Sequence, residues 1–272
     1  MQDRYAVIGN PIEHSKSPLI HSIFAKQTGE RLIYDRVLGD LEHFEQDAAR
    51  FFQQGGRGLN VTVPFKERAW RLATSLGDEA QRAGAVNTLL PMPDESLRGE
   101  NTDGIGLVRD LAVNHNFLLS GCRILLLGAG GAASGIAGPL LEQGPERLFI
   151  ANRNPSKAEY LAGRLAPLGN IDWGSLEDLE GQQFDLIINS TAAGLSGEIP
   201  TVPEGIIAPG GWAYDLMYAS KPTAFVDWGK SQGAARSLDG LGMLVEQAAE
   251  SFFLWRGVRP ETSSVIALLS TT

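Results

Sequence analysis

Short apolar runs alternate with helical segments along the chain. Over the first hundred residues the pattern predicts strands at residues 5–9, 32–38, 58–63, 85–90 and 97–100. Helices are predicted between them at residues 17–27, 41–53 and 66–76. Because strands that alternate with helices pair through right-handed crossovers, the pattern predicts a mainly parallel sheet.

A second alternating series begins at Arg123. Residues 124–127 form a wholly apolar run, which is typical of a strand buried on both faces. Further strands are predicted at residues 147–151, 184–189 and 212–216, helices at residues 132–143 and 157–165, and a one-stripe amphipathic helix at residues 243–256. We therefore expect an α/β protein with a first unit over residues 1–104, a second over 105–241 and a helical tail over 242–272 that returns to the first unit.

Composition narrows the possible partners. A chain of 272 residues with 43% hydrophobic and 20% charged residues is folded and large enough for two units. The net charge of -9, without any run of Lys or Arg, argues against nucleic acid and membrane partners. A small-molecule substrate is the expected partner, and an anionic one is compatible because a site can be rich in donors inside an acidic protein.

Metal and disulfide chemistry are not expected. Cys122 is the single cysteine, and the four histidines lack paired ligand spacing. No apolar run has the length of a membrane span, and the amino-terminal segment shows no signal-peptide pattern. We expect a cytoplasmic protein, and both a monomer and a homodimer are compatible with the sequence.

The sharpest local motif is a glycine loop between an apolar strand and a helix. Gly128 permits a tight turn, Gly130 lets the backbone approach a pyrophosphate, and Ala133 is small enough for close packing of helix on strand. The helix offers unpaired N–H groups to phosphates. An ordinary glycine-rich turn is the alternative, but the flanking strands favour a Rossmann-type dinucleotide-binding unit.

The next strand ends in Asn152-Arg153-Asn154, about 20 residues past the glycine loop. An NAD site usually has an acid here for the ribose 2′-hydroxyl, and this chain has none. The guanidinium of Arg153 suits a 2′-phosphate, and Lys157 adds a second positive charge. A solvated basic loop is the alternative. We expect NADP rather than NAD.

The first unit carries polar groups that a purely structural sheet does not need. Ser15 and Ser17 precede a helix and could hold a carboxylate, although Ser17 also fits a helix cap. Asn60 and Thr62 share one face of a strand. Asn87 lies in an apolar context, where its amide needs a partner.

Lys66 and Asp103 complete this set. Lys66 follows a strand end, where parallel sheets carry their ligands, and Asp103 precedes the passage into the second unit. Taken singly, they fit a surface lysine and an Asp-Gly turn. Together near one hydroxyl, they provide the proton donor that ketone reduction by a nicotinamide requires and the base for the reverse reaction.

The motifs as a set resemble the shikimate dehydrogenase family, in the family's order from residue 5 to about residue 260. The blocks that carry the resemblance are Ser15-Lys16-Ser17-Pro18, Asn60-Val61-Thr62-Val63-Pro64-Phe65-Lys66, Gly84-Ala85-Val86-Asn87-Thr88, Asn101-Thr102-Asp103-Gly104, Gly128-Ala129-Gly130-Gly131-Ala132, Asn152-Arg153, Asp239-Gly240-Leu241-Gly242-Met243-Leu244 and Gln247. The resemblance implies a substrate domain and an NADP-binding domain that close on a cleft. It also implies NADPH-dependent reduction of 3-dehydroshikimate to shikimate in aromatic amino-acid biosynthesis.

The resemblance further implies roles for single residues. Lys66 becomes the acid/base, with Asp103 beside it. Substrate contacts are implied at Ser15, Ser17, Asn60, Thr62, Asn87, Tyr218 and Gln247. Cofactor contacts are implied at Asp78, Gly128, Ala129, Gly130, Gly131, Ala132, Asn152, Arg153, Asn154, Lys157, Thr191, Met217 and Gly240.

The chain departs from the family at a few positions, and two rivals stay open. The family often has Thr and Arg where this chain has Asn154 and Lys157, and a serine pair where it has Ala192 and Ala193. The rivals are a quinate/shikimate dehydrogenase that uses NAD or NADP and a catalytically silent NADP-sensing homologue. The missing acid near Arg153 speaks against use of NAD, and the Lys and Asp pair speaks against the silent homologue.

Overall fold

Two six-stranded sheets organise the chain, whose computed structural model describes residues 2–191 and 198–271. The strands of the first sheet are β1 (Asp3–Gly9), β2 (Leu32–Leu38), β3 (Gly56–Val61), β4 (Ser75–Leu76), β5 (Thr88–Pro91) and β6 (Leu97–Glu100). Its helices are α1 (Ser17–Thr28), α2 (Phe44–Gln53), α3 (Lys66–Leu72) and α4 (Asp78–Ala83).

The first sheet has the order β2-β1-β3-β5-β6-β4. β1 pairs in parallel with β2 and β3, and β4 pairs in parallel with β6, whereas β5 is antiparallel to both of its neighbours. The sheet is therefore parallel in three pairings and antiparallel in two. α5 (Asp103–Arg109) and a π-helical turn (Asp110–Asn114) lead out of it.

The second sheet is parallel in every described pairing and has the order β12-β11-β10-β7-β8-β9. Its strands are β7 (Arg123–Leu127), β8 (Arg147–Ala151), β9 (Ile171–Gly174), β10 (Phe184–Asn189), β11 (Ile207–Asp215) and β12 (Arg236–Leu238). The helices are α6 (Gly131–Leu141), α7 (Pro155–Leu165) and α8 (Ala224–Ser231), with 3-10 turns at Ala166–Leu168 and Glu177–Leu179. The strand order reverses between β7 and β10, which is where such sheets bind ligands.

The two helices of the tail pack on the first domain. α9 (Leu241–Arg256) and α10 (Ser263–Leu269) share a buried cluster with α1 that includes Phe24, Phe252 and Val265. At the end of α9, Arg256 pairs with Asp3 at 2.6 Å and with Glu30. The expected return of the tail to the first domain is confirmed, and it closes the core of that domain.

Helix α5 is packed between α6 and α9 at distances that only glycine allows. A Cβ on Gly104 would lie 2.3 Å from Cγ of Pro139 and 2.7 Å from the carbonyl oxygen of Gly135. On its other side, a Cβ on Gly106 would lie 2.7 Å from Cβ of Gln247. The missing side chains bring three backbones together, and the start of α5 is held between the two domains.

The α/β alternation is confirmed, but the predicted helix over residues 66–76 is wrong after Leu72. The chain turns instead into β4, which pairs with β6, and then into α4. A tertiary pairing thus overrides the local helical pattern. The predicted second helix begins at Phe44 rather than at residue 41. The pattern also missed short or weakly patterned elements, namely β9, β12, α8 and α10.

Replacing Gly104 by alanine tests the close packing of α5. We expect Gly104→Ala to lower the free energy of unfolding by about 1–3 kcal/mol, because the methyl group meets Pro139 and backbone. The matched control is Gly163→Ala in α7, where a Cβ meets nothing within 4 Å. That change should raise stability by about 0.5–1 kcal/mol. Urea unfolding measures both, and a neutral Gly104→Ala would contradict the packing argument.

The carboxylate of Glu261 stabilises the start of α10. Hydrogen bonds from Ser263 and Ser264 lower the pKa of Glu261 to about 2. A lowered pKa means that the stabilisation is present above pH 4.5, the ordinary value, and is lost as the pH falls toward 2. Because the group is exposed, Glu261→Gln should cost at most about 1 kcal/mol at pH 7.

Thermal unfolding of Glu261→Gln and of wild type between pH 7 and pH 3 measures this effect. The difference between the two proteins should shrink below pH 4.5, and Glu159→Gln on the exposed face of α7 serves as the control. A difference that stays constant down to pH 3 would contradict the assignment.

Candidate active site

Lys66 and Asp103 form an ion pair between the two domains. Lys66 opens α3 and Asp103 opens α5, and Nζ of the lysine lies 2.6 Å from Oδ2 of the aspartate. The side chains are 19% and 8% exposed, so water and salt screen the pair only weakly. The structure thus brings together the two residues that the sequence analysis predicts to transfer protons.

Asn87 holds the second oxygen of Asp103. Its Nδ2 donates to Oδ1 of Asp103 at 2.9 Å, and its Oδ1 accepts the backbone N–H of Thr102 at 2.9 Å. A backbone N–H can only donate, so the orientation of the amide is determined. Oε1 of Gln247 on α9 lies 3.4 Å from the same Nδ2. Asn87 is buried, and its predicted need for a partner is met by the acid/base pair itself.

Asn60 is engaged at both ends of its amide by the protein. Its Oδ1 accepts the hydroxyl of Tyr34 at 2.7 Å, and its Nδ2 donates to the carbonyl oxygen of Asn87 at 3.1 Å. Thr62 packs its methyl group close to Gly9, at the start of the loop that carries the two serines. Sequence reasoning missed Tyr34, because an aromatic residue within the mostly apolar strand β2 is ordinary.

The loop with Ser15 and Ser17 is held from both domains. Oγ of Ser15 accepts the N–H of Ser17 at 3.3 Å, and Arg36 donates twice to the carbonyl oxygen of Ser15, at 3.0 and 2.5 Å. From the second domain, the Tyr218 hydroxyl bonds to the backbone of Lys16, and burial raises the pKa of this hydroxyl. Tyr218 therefore lies beside the loop of the two serines, and its contact with the substrate stays a prediction. Arg36 was missed because an arginine on an edge strand is ordinary.

The glycine loop leaves room for a dinucleotide, and its residues fit one. Gly128 has φ 104°, and a Cβ there would lie 2.8 Å from Oγ of Ser190. Side chains at Gly130 and Gly131 would meet nothing within 4 Å, so the amino end of α6 is open. Ala129 belongs to the same loop and Ala132 to the first turn of α6, at the crevice where the strand order of the second sheet reverses. Open N–H groups at this position suit a pyrophosphate.

The segment after β8 presents an exposed cation beside this loop. Oδ1 of Asn154 accepts the N–H of Ser156 at 3.1 Å and caps α7, and Nδ2 of Asn152 donates to the carbonyl oxygen of Asn154 at 2.8 Å. Arg153 and Lys157 are exposed, and within the described residues neither side chain has an ion-pair partner. The capped turn thus leaves the guanidinium free for a phosphate.

A buried amide and carboxylate hold the segments on the other side of the crevice. Oδ1 of Asn189 accepts from the N–H and the hydroxyl of Thr191, at 3.1 and 2.7 Å. Its Nδ2 donates to Asp215 at 3.0 Å, and Asp215 accepts the N–H of Met217 at 3.2 Å. Burial raises the pKa of the Asp215 carboxyl. Sequence reasoning missed Asn189 and Asp215, although each is a polar residue that ends an apolar strand.

Gly240 brings the start of α9 against the segment of Met217. Its N–H donates to the carbonyl oxygen of Met217 at 2.9 Å, and a Cβ there would lie 2.2 Å from the carbonyl oxygen of Leu216. The residue must therefore be glycine. The neighbouring positions Ala192 and Ala193, where the chain departs from the family, lie outside the described residues.

Asp78 lies in a surface depression beside α7. It opens α4 in a depression of about 350 Å³ that Gln81, Arg82 and Arg164 also line. Arg164 stands near the carboxyl end of α7, about 13 Å along that helix from the turn that carries Arg153. The cofactor contact of Asp78 stays a prediction, like those of the other cofactor positions.

Within residues 2–191 and 198–271, no group of three or more His, Cys, Asp or Glu side chains is arranged to hold a metal ion. In the same part of the chain, no helix combines the length and the apolar character that crossing a membrane requires.

The Lys66–Asp103 ion pair lies directly beside the helix of the glycine loop. A Cβ on Gly135 in α6 would lie 3.2 Å from Oδ2 of Asp103. Gly135 follows Gly131 by four residues, which is about 6 Å along the helix axis. A glycine loop at a Rossmann crevice and a Lys–Asp pair at the domain junction together define a two-domain, dinucleotide-dependent oxidoreductase.

Comparison with known proteins specifies this class. Family models match residues 7–89 (shikimate dehydrogenase substrate binding domain), 110–196 (shikimate/quinate 5-dehydrogenase) and 240–269 (shikimate 5'-dehydrogenase C-terminal domain). A relative from Nitrosococcus oceani named shikimate dehydrogenase (NADP(+)) is 55% identical, over 99% of this chain and 95% of its own. The chain belongs to the shikimate dehydrogenase family.

Solved structures confirm the fold. An Ael1 enzyme from Pseudomonas putida superposes with a TM-score of 0.92 at 46% identity, over 99% of this chain and 98% of its own. Shikimate 5-dehydrogenase from Thermus thermophilus, in complex with NADP(H) and shikimate, superposes with a TM-score of 0.86 at 31% identity, over 98% of each chain. The predicted architecture of two α/β domains is therefore correct.

Arg153→Asp tests the prediction that Arg153 selects the cofactor. It should weaken binding of NADPH by about 10-fold or more, since one charge-assisted hydrogen bond contributes about 1.5–3 kcal/mol. Binding of NADH should change far less, because NADH lacks the 2′-phosphate. Fluorescence titration with both nucleotides measures this, with Lys230→Asp on the exposed face of α8 as the control. Equal losses for the two nucleotides would contradict the assignment of Arg153.

Proposed function

We propose that this chain catalyses the reversible, NADPH-dependent reduction of 3-dehydroshikimate to shikimate, a step of aromatic amino-acid biosynthesis. The observation that carries the proposal is the 2.6 Å contact of Lys66 with Asp103, placed beside the helix that begins in the glycine loop. Membership in the family and the NADP-dependent name of a relative that is 55% identical support it.

Neutral donors recognise the substrate in this proposal. The hydroxyls of Ser15 and Ser17, with that of Tyr218, receive the carboxylate of the substrate at the start of α1. Ring hydroxyls meet Asn87 and Gln247, whose amides already lie 3.4 Å apart at the acid/base pair. Thr62 and Asn60 complete the wall on the side of β3. A site built from neutral groups suits a substrate with one carboxylate and several hydroxyls.

Proton transfer falls to Lys66. When bound, NADPH supplies the hydride that reduces the ketone carbon. Nζ of Lys66 donates its proton to the alkoxide oxygen that develops there, and in the oxidation direction the amine takes up the proton of the alcohol. Asp103 accepts a hydrogen bond from Nζ and holds it in place, and Asn87 fixes the carboxylate in turn.

The residues around the crevice would hold the cofactor. The pyrophosphate suits the open amino end of α6, and the 2′-phosphate suits Arg153 with Lys157. On the nicotinamide side lie Thr191, Met217 and Gly240, held by the hydrogen bonds of Asn189 and Asp215. These positions lie on both sides of the crevice where the strand order reverses, and a dinucleotide binds across such a crevice.

The two alternative functions are less well supported. Use of NAD with quinate is disfavoured because an exposed arginine, rather than an acid, follows β8. A silent NADP sensor has no need for a buried Lys–Asp pair. Initial rates with shikimate and quinate, each with NADP and NAD, separate the three. Comparable turnover of quinate with NAD would replace the proposed function.

We further propose domain boundaries near residues 104 and 241, at the start of α5 and of α9. All groups assigned to the site come from one chain, so a monomer suffices for activity and a homodimer is compatible with it.

We also propose a cytoplasmic location, which fits a biosynthetic role. Sedimentation of the purified protein tests the oligomeric state, and fractionation of cells tests the location.

Lys66→Ala tests the mechanism. It should lower kcat about 100-fold or more in both directions, because general acid and base help is lost, while affinity for NADPH changes little. Steady-state kinetics at the nicotinamide absorbance band, together with NADPH titration, measure the two quantities. Lys230→Ala in α8 is the matched control and should leave both unchanged. A Lys66→Ala enzyme with most of its activity would show that the proton comes from another group.

A further inference from the structure

Behind the acid/base pair lies a buried hydrogen-bond network that the proposed mechanism does not use. At its centre are the hydroxyls of Thr88 on β5 and Ser251 on α9, both 0% exposed and 2.8 Å apart. Asn60 Nδ2 lies 3.0 Å from each of them. Two buried hydroxyls thus join the tail helix to the sheet that carries the site.

One run of hydrogen bonds in this network leads toward Asp103. The hydroxyl of Thr88 accepts from Nδ2 of Asn60 and donates to Oδ1 of Asn87 at 2.9 Å, and Nδ2 of Asn87 donates to Asp103. At the other end, Tyr34 donates to Oδ1 of Asn60. Successive hydrogen bonds with one direction polarise each other.

Backbone groups fix the orientation of the two side-chain amides in this network. The N–H of Thr102 can only donate, which assigns Oδ1 of Asn87, and the carbonyl oxygen of Asn87 can only accept, which assigns Nδ2 of Asn60. Thr88 lies between these two assigned amides, and its hydroxyl accepts from Nδ2 of Asn60 at 3.0 Å and donates to Oδ1 of Asn87 at 2.9 Å. Ser251 supports it and bonds to the carbonyl oxygen of Gln247 at 3.1 Å.

We propose that Thr88 and Ser251 are positioning residues, whose paired hydroxyls hold Asn87 and thereby keep the carboxylate of Asp103 aimed at Lys66 and the substrate. This inference rests on the proposed function. Neither side chain touches the space assigned to substrate or cofactor. Their effect on the reaction must therefore pass through Asn87 and Asp103.

A matched pair of substitutions tests the hydroxyl of Thr88. Thr88→Val keeps the shape and removes the hydroxyl, and Thr88→Ser keeps the hydroxyl and removes the methyl group. Thr88→Val should lower kcat for oxidation of shikimate by NADP about 10-fold, which is the scale of a small misplacement in a site. Thr88→Ser should stay within about 2-fold of wild type on the same scale. Affinity for NADPH should be unchanged in both.

A double substitution with Asp103 shows whether Thr88 positions the carboxylate or only stabilises the fold. In an Asp103→Asn background the carboxylate is gone, so adding Thr88→Val should cause no further loss of kcat. Equal losses in both backgrounds, or equal losses for Val and Ser at position 88, would overturn the proposal. Thr88→Val with wild-type kcat would overturn it as well.

Ser251→Ala gives a second route if Thr88→Val does not fold. It should lower kcat about 3- to 10-fold with a melting temperature that still shows a folded enzyme, because Gln247 and Asn60 lose one partner. Unchanged kcat in a folded Ser251→Ala enzyme would overturn the proposal. Wild type is assayed first: if it does not oxidise shikimate, the proposed function fails and the inference with it. If wild type is active and the variants keep its kcat, only the inference about Thr88 and Ser251 is overturned.

Discussion

The site depends on the close approach of three helices around α5. Gly104 and Gly106 have no side chains, so α5 touches the backbones of α6 and α9. That contact carries Asp103 to within a few ångströms of Gly135, on the helix that begins in the glycine loop. Since packed interiors resist small displacements, the distance between Asp103 and the helix of the glycine loop is set by packing rather than by loops.

A second constraint follows from burying polar groups beside this packing. Asn87, Thr88 and Ser251 are almost wholly buried, and each would destabilise the fold without partners. Their donors and acceptors are matched so that the network ends on the carboxylate of Asp103. The need to satisfy buried amides therefore also orients the carboxylate of Asp103, and the tail helix takes part in this network as well as in the core.

Much of the fold and most of the site could be predicted from local pattern. Alternation of strands and helices, the glycine loop and the arginine after β8 are read within short windows, because the backbone conformation they need is local. The helix predicted through residue 76 failed because β4 exists only through its pairing with β6. Tyr34 was missed because only its distant partner Asn60 distinguishes it from an ordinary strand residue.

By itself, the sequence determined the two α/β units, the dinucleotide loop and the pair of Lys66 and Asp103, through motifs whose chemistry is local. Only the tertiary structure decided which way the amides of Asn60 and Asn87 point and that the hydroxyl of Ser251 meets that of Thr88. The physical reason is distance along the chain. Thr88 and Ser251 are 163 positions apart, and their 2.8 Å contact arises only when α9 folds back on the sheet.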